Sequence, residues 1–125
     1  MHWAAGYIGR PWDGADNHCW AFCRQVWRER FGVDVPEMPV VGDDLRAARR
    51  AFAGNDERRH WQQTDIPGEG DAVLMALGAR ACHVGIWIDL GGVLHAVSGA
   101  RSVFTPRVRL RDLGHRVVGY YRRAL

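Results

Sequence analysis

The stretch Cys82-His83-Val84-Gly85-Ile86-Trp87-Ile88-Asp89-Leu90-Gly91-Gly92-Val93-Leu94-His95-Ala96 decides how this chain folds. An apolar, β-branched and aromatic run ends at Asp89, a glycine pair follows, and a second apolar run returns. That is the pattern of two strands joined by a tight turn. Each strand carries one histidine, and the two imidazoles stand 95 − 83 = 12 positions apart. Because side chains alternate faces along a strand, pairing parity decides whether the histidines share a face. A two-residue turn at Gly91-Gly92 would pair Leu90 with Val93 and separate them. A chemical partnership between them therefore predicts an odd-numbered loop such as Asp89 to Gly91, or a bulge, with His95 opposite His83 or diagonal to it.

Working outward, Pro67-Gly68-Glu69-Gly70 is a strong turn, and strands are predicted over Asp71 to Leu77, His83 to Asp89, Val93 to Val97 and Arg116 to Arg122. Upstream, Cys19, Trp20, Phe22, Cys23, Val26, Trp27 and Phe31 recur at intervals of three and four, which predicts a helix from near His18 that Gly32 terminates. Asp16 or Asn17 would cap it. Pro36 and Pro39 favour an extended connection. Asp43-Asp44 then open a second helical pattern through Leu45, Ala48 and Phe52, closed by Gly54-Asn55-Asp56. Helices first and strands afterwards imply an α+β domain with helices on one side of a mostly antiparallel sheet.

At 125 residues, 47% hydrophobic and 25% charged, the chain has the size and composition of one domain, residues 1–125, with no repeat or low-complexity tract. Every apolar run is broken well before about 18 residues, so no membrane insertion is expected. Met1 leads straight into His2-Trp3 without a basic and then apolar segment, so no signal peptide is expected either. The net charge of +3 is carried by arginines scattered along the chain, without a basic helix or a basic patch interleaved with aromatics, and no nucleic-acid partner is expected. Three cysteines are an odd number in a chain large enough to fold without staples, so at least one thiol is expected free.

Cys19 falls in the first turn of the first helix, where unpaired N–H groups and the helix dipole favour an anion. There a thiol with a neighbouring imidazolium titrates at roughly 3.5–7.5 instead of about 8.5, and the same N–H groups can hold an oxyanion. Thiolate, imidazole and a third polar group that fixes the imidazole's tautomer make a nucleophilic site. Cys19, His83 and His95 supply all three. Each alone reads more simply as a core or surface residue; the combination does not.

These residues resemble the NlpC/P60 peptidases, papain-like cell-wall hydrolases. The likeness covers most of the chain and is nearest to the family's phage-tail branch: Tyr7-Ile8-Gly9-Arg10-Pro11-Trp12, Asp16-Asn17-His18-Cys19-Trp20, Gly70-Asp71-Ala72-Val73-Leu74-Met75, His83-Val84-Gly85-Ile86, Leu94-His95-Ala96 and Val118-Gly119-Tyr120-Tyr121-Arg122. The resemblance implies Cys19 as nucleophile, His83 as base, His95 as the third polar member, and Tyr7 as an aromatic residue upstream of the cysteine. It implies cleavage of peptide or isopeptide bonds in peptidoglycan stem peptides without metal or cofactor, and a virion-tail location with phage tail proteins as partners. Many members carry Asp directly before the cysteine, where it holds the substrate's free amine, and this chain has His18. Asp16 reads either as the replacement or as a helix cap. Trp20 reads as cleft wall or core.

Two rival readings remain. Cys19, Cys23, Cys82 and His83 could offer zinc ligands, although adjacent Cys82 and His83 point to opposite faces of a strand and the spacing is unlike a zinc knuckle. A catalytically silent structural tail protein with the same fold is the other.

Overall fold

A computed structural model describes residues 2–10, 18–35, 61–77, 81–97 and 101–123. A short 3-10 helix, Trp3–Tyr7, precedes the helix α1, His18–Phe31, and six strands follow: β1 Trp61–Thr64, β2 Ala72–Leu77, β3 Ala81–Ile88, β4 Gly92–Ala96, β5 Ser102–Pro106 and β6 His115–Arg123. A second 3-10 helix, Arg107–Leu113, links β5 to β6. The strands form one sheet in the order β1-β6-β2-β3-β4-β5, and every neighbouring pair is antiparallel. This is the expected α+β arrangement. The segment expected as a second helix, Asp43 to Phe52, lies outside the described residues.

Helix α1 ends where its glycine allows a left-handed residue. Gly32 has φ 65°, and the Val33 N–H returns to the Trp27 carbonyl at 3.1 Å. Its apolar face packs Trp20, Phe22, Cys23, Val26 and Trp27 against Ala72 and Leu74 of β2, Val84, Ile86 and Ile88 of β3, and Leu94 and Ala96 of β4. Each large side chain buried this way contributes about 1.5–3 kcal/mol. The opposite sheet face carries Val73, Met75, Val93 and Tyr120 beneath Leu110 of the second 3-10 helix. The sheet is thus buried on both sides, which is why β2 and β4 read as continuous apolar runs.

The turn before β2 is fastened at three points. Trp27 Nε1 donates to the Gly70 carbonyl at 2.8 Å, Gly68 N–H donates to Asp71 Oδ2 at 2.7 Å, and Arg122 of β6 holds the Asp71 carboxylate through Nε and Nη2 at 3.2 and 2.9 Å. Gly70 has φ 94°, and any Cβ there would lie 2.8 Å from the Phe31 ring. Only glycine lets α1 and this turn close together.

Two strands had no clear signature. Trp61–Thr64 is short and mostly polar, with only Trp61 buried, because it is the sheet's edge beside β6. Ser102–Pro106 ends in a proline, which an edge strand tolerates.

Candidate active site

The loop Asp89 to Gly91 has three residues, so Ile88 pairs with Gly92 and Ile86 with Leu94. Continuing that register sets His95 opposite Gly85 and diagonal to His83, on the same face. The odd-numbered loop and the diagonal placement are those expected from the sequence. His83 Nε2 and His95 Nδ1 stand 2.7 Å apart, with ring centroids separated by 4.9 Å at 65°. His95 Nε2 in turn meets Thr105 Oγ1 at 2.9 Å, since β4–β5 pairing puts Thr105 opposite Val93 on that same face.

Room for this pair comes from Gly85. A Cβ at Gly85 would collide with Val93 Cγ1 and lie 3.0 Å from His95 Cβ. His95 has no exposed surface, and burial together with the positive charge that His115 would carry lowers its pKa to about 4. It is therefore a neutral imidazole at physiological pH, a hydrogen-bonding group and not a charge.

The third histidine, His115, was not expected, because the sequence reading began β6 one residue later, at Arg116. Its ring stacks on His83 at 4.9 Å and 15°, and meets His95 edge-on at 5.5 Å. A bulge brings it there. Tyr120 pairs with Val73 and Gly119 with Leu74, but the register then slips so that Val117 pairs with Met75 and His115 with Leu77. Without the slip Arg116 would face the histidines and His115 would face away. Burial lowers the pKa of His115, and its Nδ1 is buried with no hydrogen-bond partner among the described residues.

Cys19 lies in the first turn of α1 and is only 5% exposed. Backbone hydrogen bonds from Val84, Trp20 and Cys19 itself favour its thiolate. Burial outweighs them and pushes the thiol above its ordinary value. This corrects the expectation of a depressed thiol pKa: a helix N-terminus acts as expected, but removing the sulfur from water costs the anion more. Cys23 is fully buried, also with a raised pKa, and its Sγ lies 3.6 Å from the Val84 carbonyl. Both thiols are free.

The remaining expected residues divide. Tyr7 is buried and donates its hydroxyl to Glu29 Oε1 on α1 at 2.8 Å, with Arg10 over its ring and Phe22 at its edge. Burial first, then the Glu29 bond, raises its pKa. Trp20 is a core residue, packed against Trp27 and Trp61. Asp16 and the side chains of His18 and Cys82 lie outside the described residues. Three or more potential ligands do converge among the described residues, but they are His83, His95 and His115, whose ligand atoms all lie within 4.8 Å of one another. The cysteine-based zinc set includes the Cys82 side chain, which lies outside the described residues.

Comparison with known families bears on these residues as a set. The profile of the NlpC/P60 family matches residues 7–119, a span that contains Cys19 and all three histidines. The chain belongs to the NlpC/P60 family. Members are usually cysteine peptidases that act on peptidoglycan peptides, so this membership gives the cysteine and the histidine pair a chemical context. No curated protein matches the chain significantly.

Proposed function

We propose that this NlpC/P60 protein is a cysteine endopeptidase that hydrolyses peptide or isopeptide bonds in peptidoglycan stem peptides, with Cys19 as nucleophile, His83 as base and His95 as the group that orients the base. The observation that carries the reading is the 2.7 Å contact between His83 Nε2 and His95 Nδ1. With His95 Nε2–H donating to Thr105, Nδ1 keeps a lone pair and accepts from His83 Nε2–H. General-base work on Cys19 is then assigned to His83 Nδ1.

Because burial holds Cys19 as a thiol, His83 takes the proton as the sulfur attacks the scissile carbonyl. The resulting imidazolium is stabilised by His95 and gives its proton to the leaving amine; water then releases the acyl group. Backbone N–H groups at the head of α1 hold the oxyanion. Asp16, or His18 directly before the nucleophile, engages the stem peptide's free amine, and Tyr7 shapes the wall behind it.

The motif likeness quoted from Tyr7 to Arg122 also supports delivery by a phage tail, with tail proteins as partners and the host cell wall as the place of action. A silent tail component of the same fold is favoured by one observation, the burial of Cys19 with its raised thiol pKa. Digestion of purified peptidoglycan followed by mass spectrometry decides between them. New stem-peptide termini that disappear with Cys19→Ala support the peptidase; unchanged muropeptides with folded wild-type protein refute it.

A further inference from the structure

We propose that His83, His95 and His115 form a binding site for a borderline-soft dication such as Zn²⁺, and that filling this site switches the peptidase off. The switch rests on the function proposed above; the site does not. Three imidazoles from three strands converge, with one ligand atom from each within 4.8 Å of the others. Zinc–nitrogen bonds of about 2.0–2.1 Å put neighbouring nitrogens roughly 3.3 Å apart, so side-chain shifts on the order of 1 Å close the set.

Three features separate this cluster from a chance grouping. Thr105 fixes His95 from behind, as an outer-shell partner of a metal-bound histidine does, by taking Nε2 and leaving Nδ1 turned inward. His115 is buried yet its Nδ1 has no hydrogen-bond partner among the described residues, although a buried polar atom ordinarily finds one. His83 is half-buried while the other two are buried, which gives an ion a way in from solvent. Among the described residues no carboxylate or thiolate belongs to the set, so the donors are three neutral nitrogens and the fourth position falls to water.

The consequence for catalysis follows from valence. A neutral imidazole that gives its Nε2 lone pair to a metal carries its proton on Nδ1. His83 in that state has no lone pair with which to accept the proton of Cys19. The metal also replaces the hydrogen bond that His83 donates to His95, so the base loses its lone pair and its orienting contact in one binding event.

The test is calorimetric titration of the metal-free full chain with Zn²⁺, repeated on Cys19→Ala and His115→Gln. Stoichiometric binding that survives Cys19→Ala and weakens at least about tenfold in His115→Gln supports the site. Loss of binding in Cys19→Ala, or unaltered affinity in His115→Gln, overturns it. Should His115→Gln fail to fold by near-ultraviolet circular dichroism, His115→Phe keeps a ring on His83 without a donor atom and carries the same comparison. Co²⁺ is the spectroscopic probe: visible d–d bands without a thiolate charge-transfer band are expected, and a thiolate band refutes the three-nitrogen set. In the peptidoglycan assay Zn²⁺ should stop wild-type turnover, and His115→Gln should need about tenfold more of it, each scaled to its own metal-free rate. Turnover that continues with zinc stoichiometrically bound overturns the switch. A protein that binds zinc in this way but never cleaves peptidoglycan refutes the peptidase reading and still supports the site.

Discussion

His83 and His95 face each other across the β3–β4 hairpin with ring nitrogens 2.7 Å apart, and the far nitrogen of His95 rests on Thr105. The relay runs from a half-exposed ring to a fully buried one to a buried hydroxyl on an edge strand. Its inner members are held by packing and its outer member is partly exposed, which is the ordering that a base and its support require.

Removing the support should cost activity without abolishing it. For His95→Ala, kcat/KM on peptidoglycan fragments should fall by about 10²-fold, because His83 loses its orientation and the partner for its imidazolium. Cys19→Ala should leave no measurable turnover. Thr105→Val should lower the rate about tenfold, since His95 then lacks the bond that sets its tautomer. A His95→Ala rate equal to wild type would remove His95 from the site.

Acid should destabilise the fold before carboxylates are protonated. His95 has a folded-state pKa of about 4, against roughly 6.5 in the unfolded chain, so between these values the unfolded state binds the extra proton. The stabilisation is complete above pH 6.5 and is lost as pH falls towards 4. Between pH 7.5 and 5 the loss from this residue is on the order of 2 kcal/mol, and burial of His115 acts in the same direction. Urea unfolding at the two pH values measures it. His95→Gln should flatten the slope, and an equal slope in wild type and variant would contradict the assignment.

Gly85→Ala should injure stability and activity together. The added methyl meets Val93 Cγ1, His95 Cβ and the Leu94 carbonyl, and all three belong to β4, a buried strand paired on both sides that cannot retreat. Overpacking of this kind costs about 1–3 kcal/mol. Because His95 is one of the atoms displaced, kcat should drop even at temperatures where the variant remains folded. Wild-type kcat in a folded Gly85→Ala protein would show that the 2.7 Å contact does not matter for turnover.

The hairpin was readable because parity is arithmetic: twelve positions, a shared face and a glycine-rich turn leave few loop lengths, and the one found has three residues. α1 was readable for a similar reason, with apolar spacing and Gly32 marking its end. His115 was not, because its face depends on the slip between Leu74 and Met75, and a bulge leaves no mark in a run such as Val117-Val118-Gly119. β1 was hidden because an edge strand that buries one side chain in four shows no alternation. The Cys19 thiol was misjudged because a helix start is visible in sequence, whereas the depth to which neighbouring elements bury it is not.

The Asp71–Arg122 clasp should prove asymmetric. Asp71 has a side chain only 7% exposed, whereas Arg122 is 54% exposed, so the two variants leave different remnants. Arg122→Ala removes a partner that water partly replaces, but Asp71 keeps the Gly68 N–H, and the smaller loss is expected. Asp71→Ala releases both the Gly68 N–H and the guanidinium and opens the turn against which Trp27 and Phe31 pack, so about 2–3 kcal/mol is expected. Asp71→Asn keeps the shape and one acceptor and should fall between them. Since the clasp joins β6 to the turn that starts β2, its weakening loosens the strand that brings His115 to His83, and the zinc affinity of Arg122→Ala should fall with its stability. Urea denaturation of the three variants gives the order. Equal losses for Asp71→Ala and Arg122→Ala would mean that the ion pair, and not the buried carboxylate's backbone bond, holds the turn.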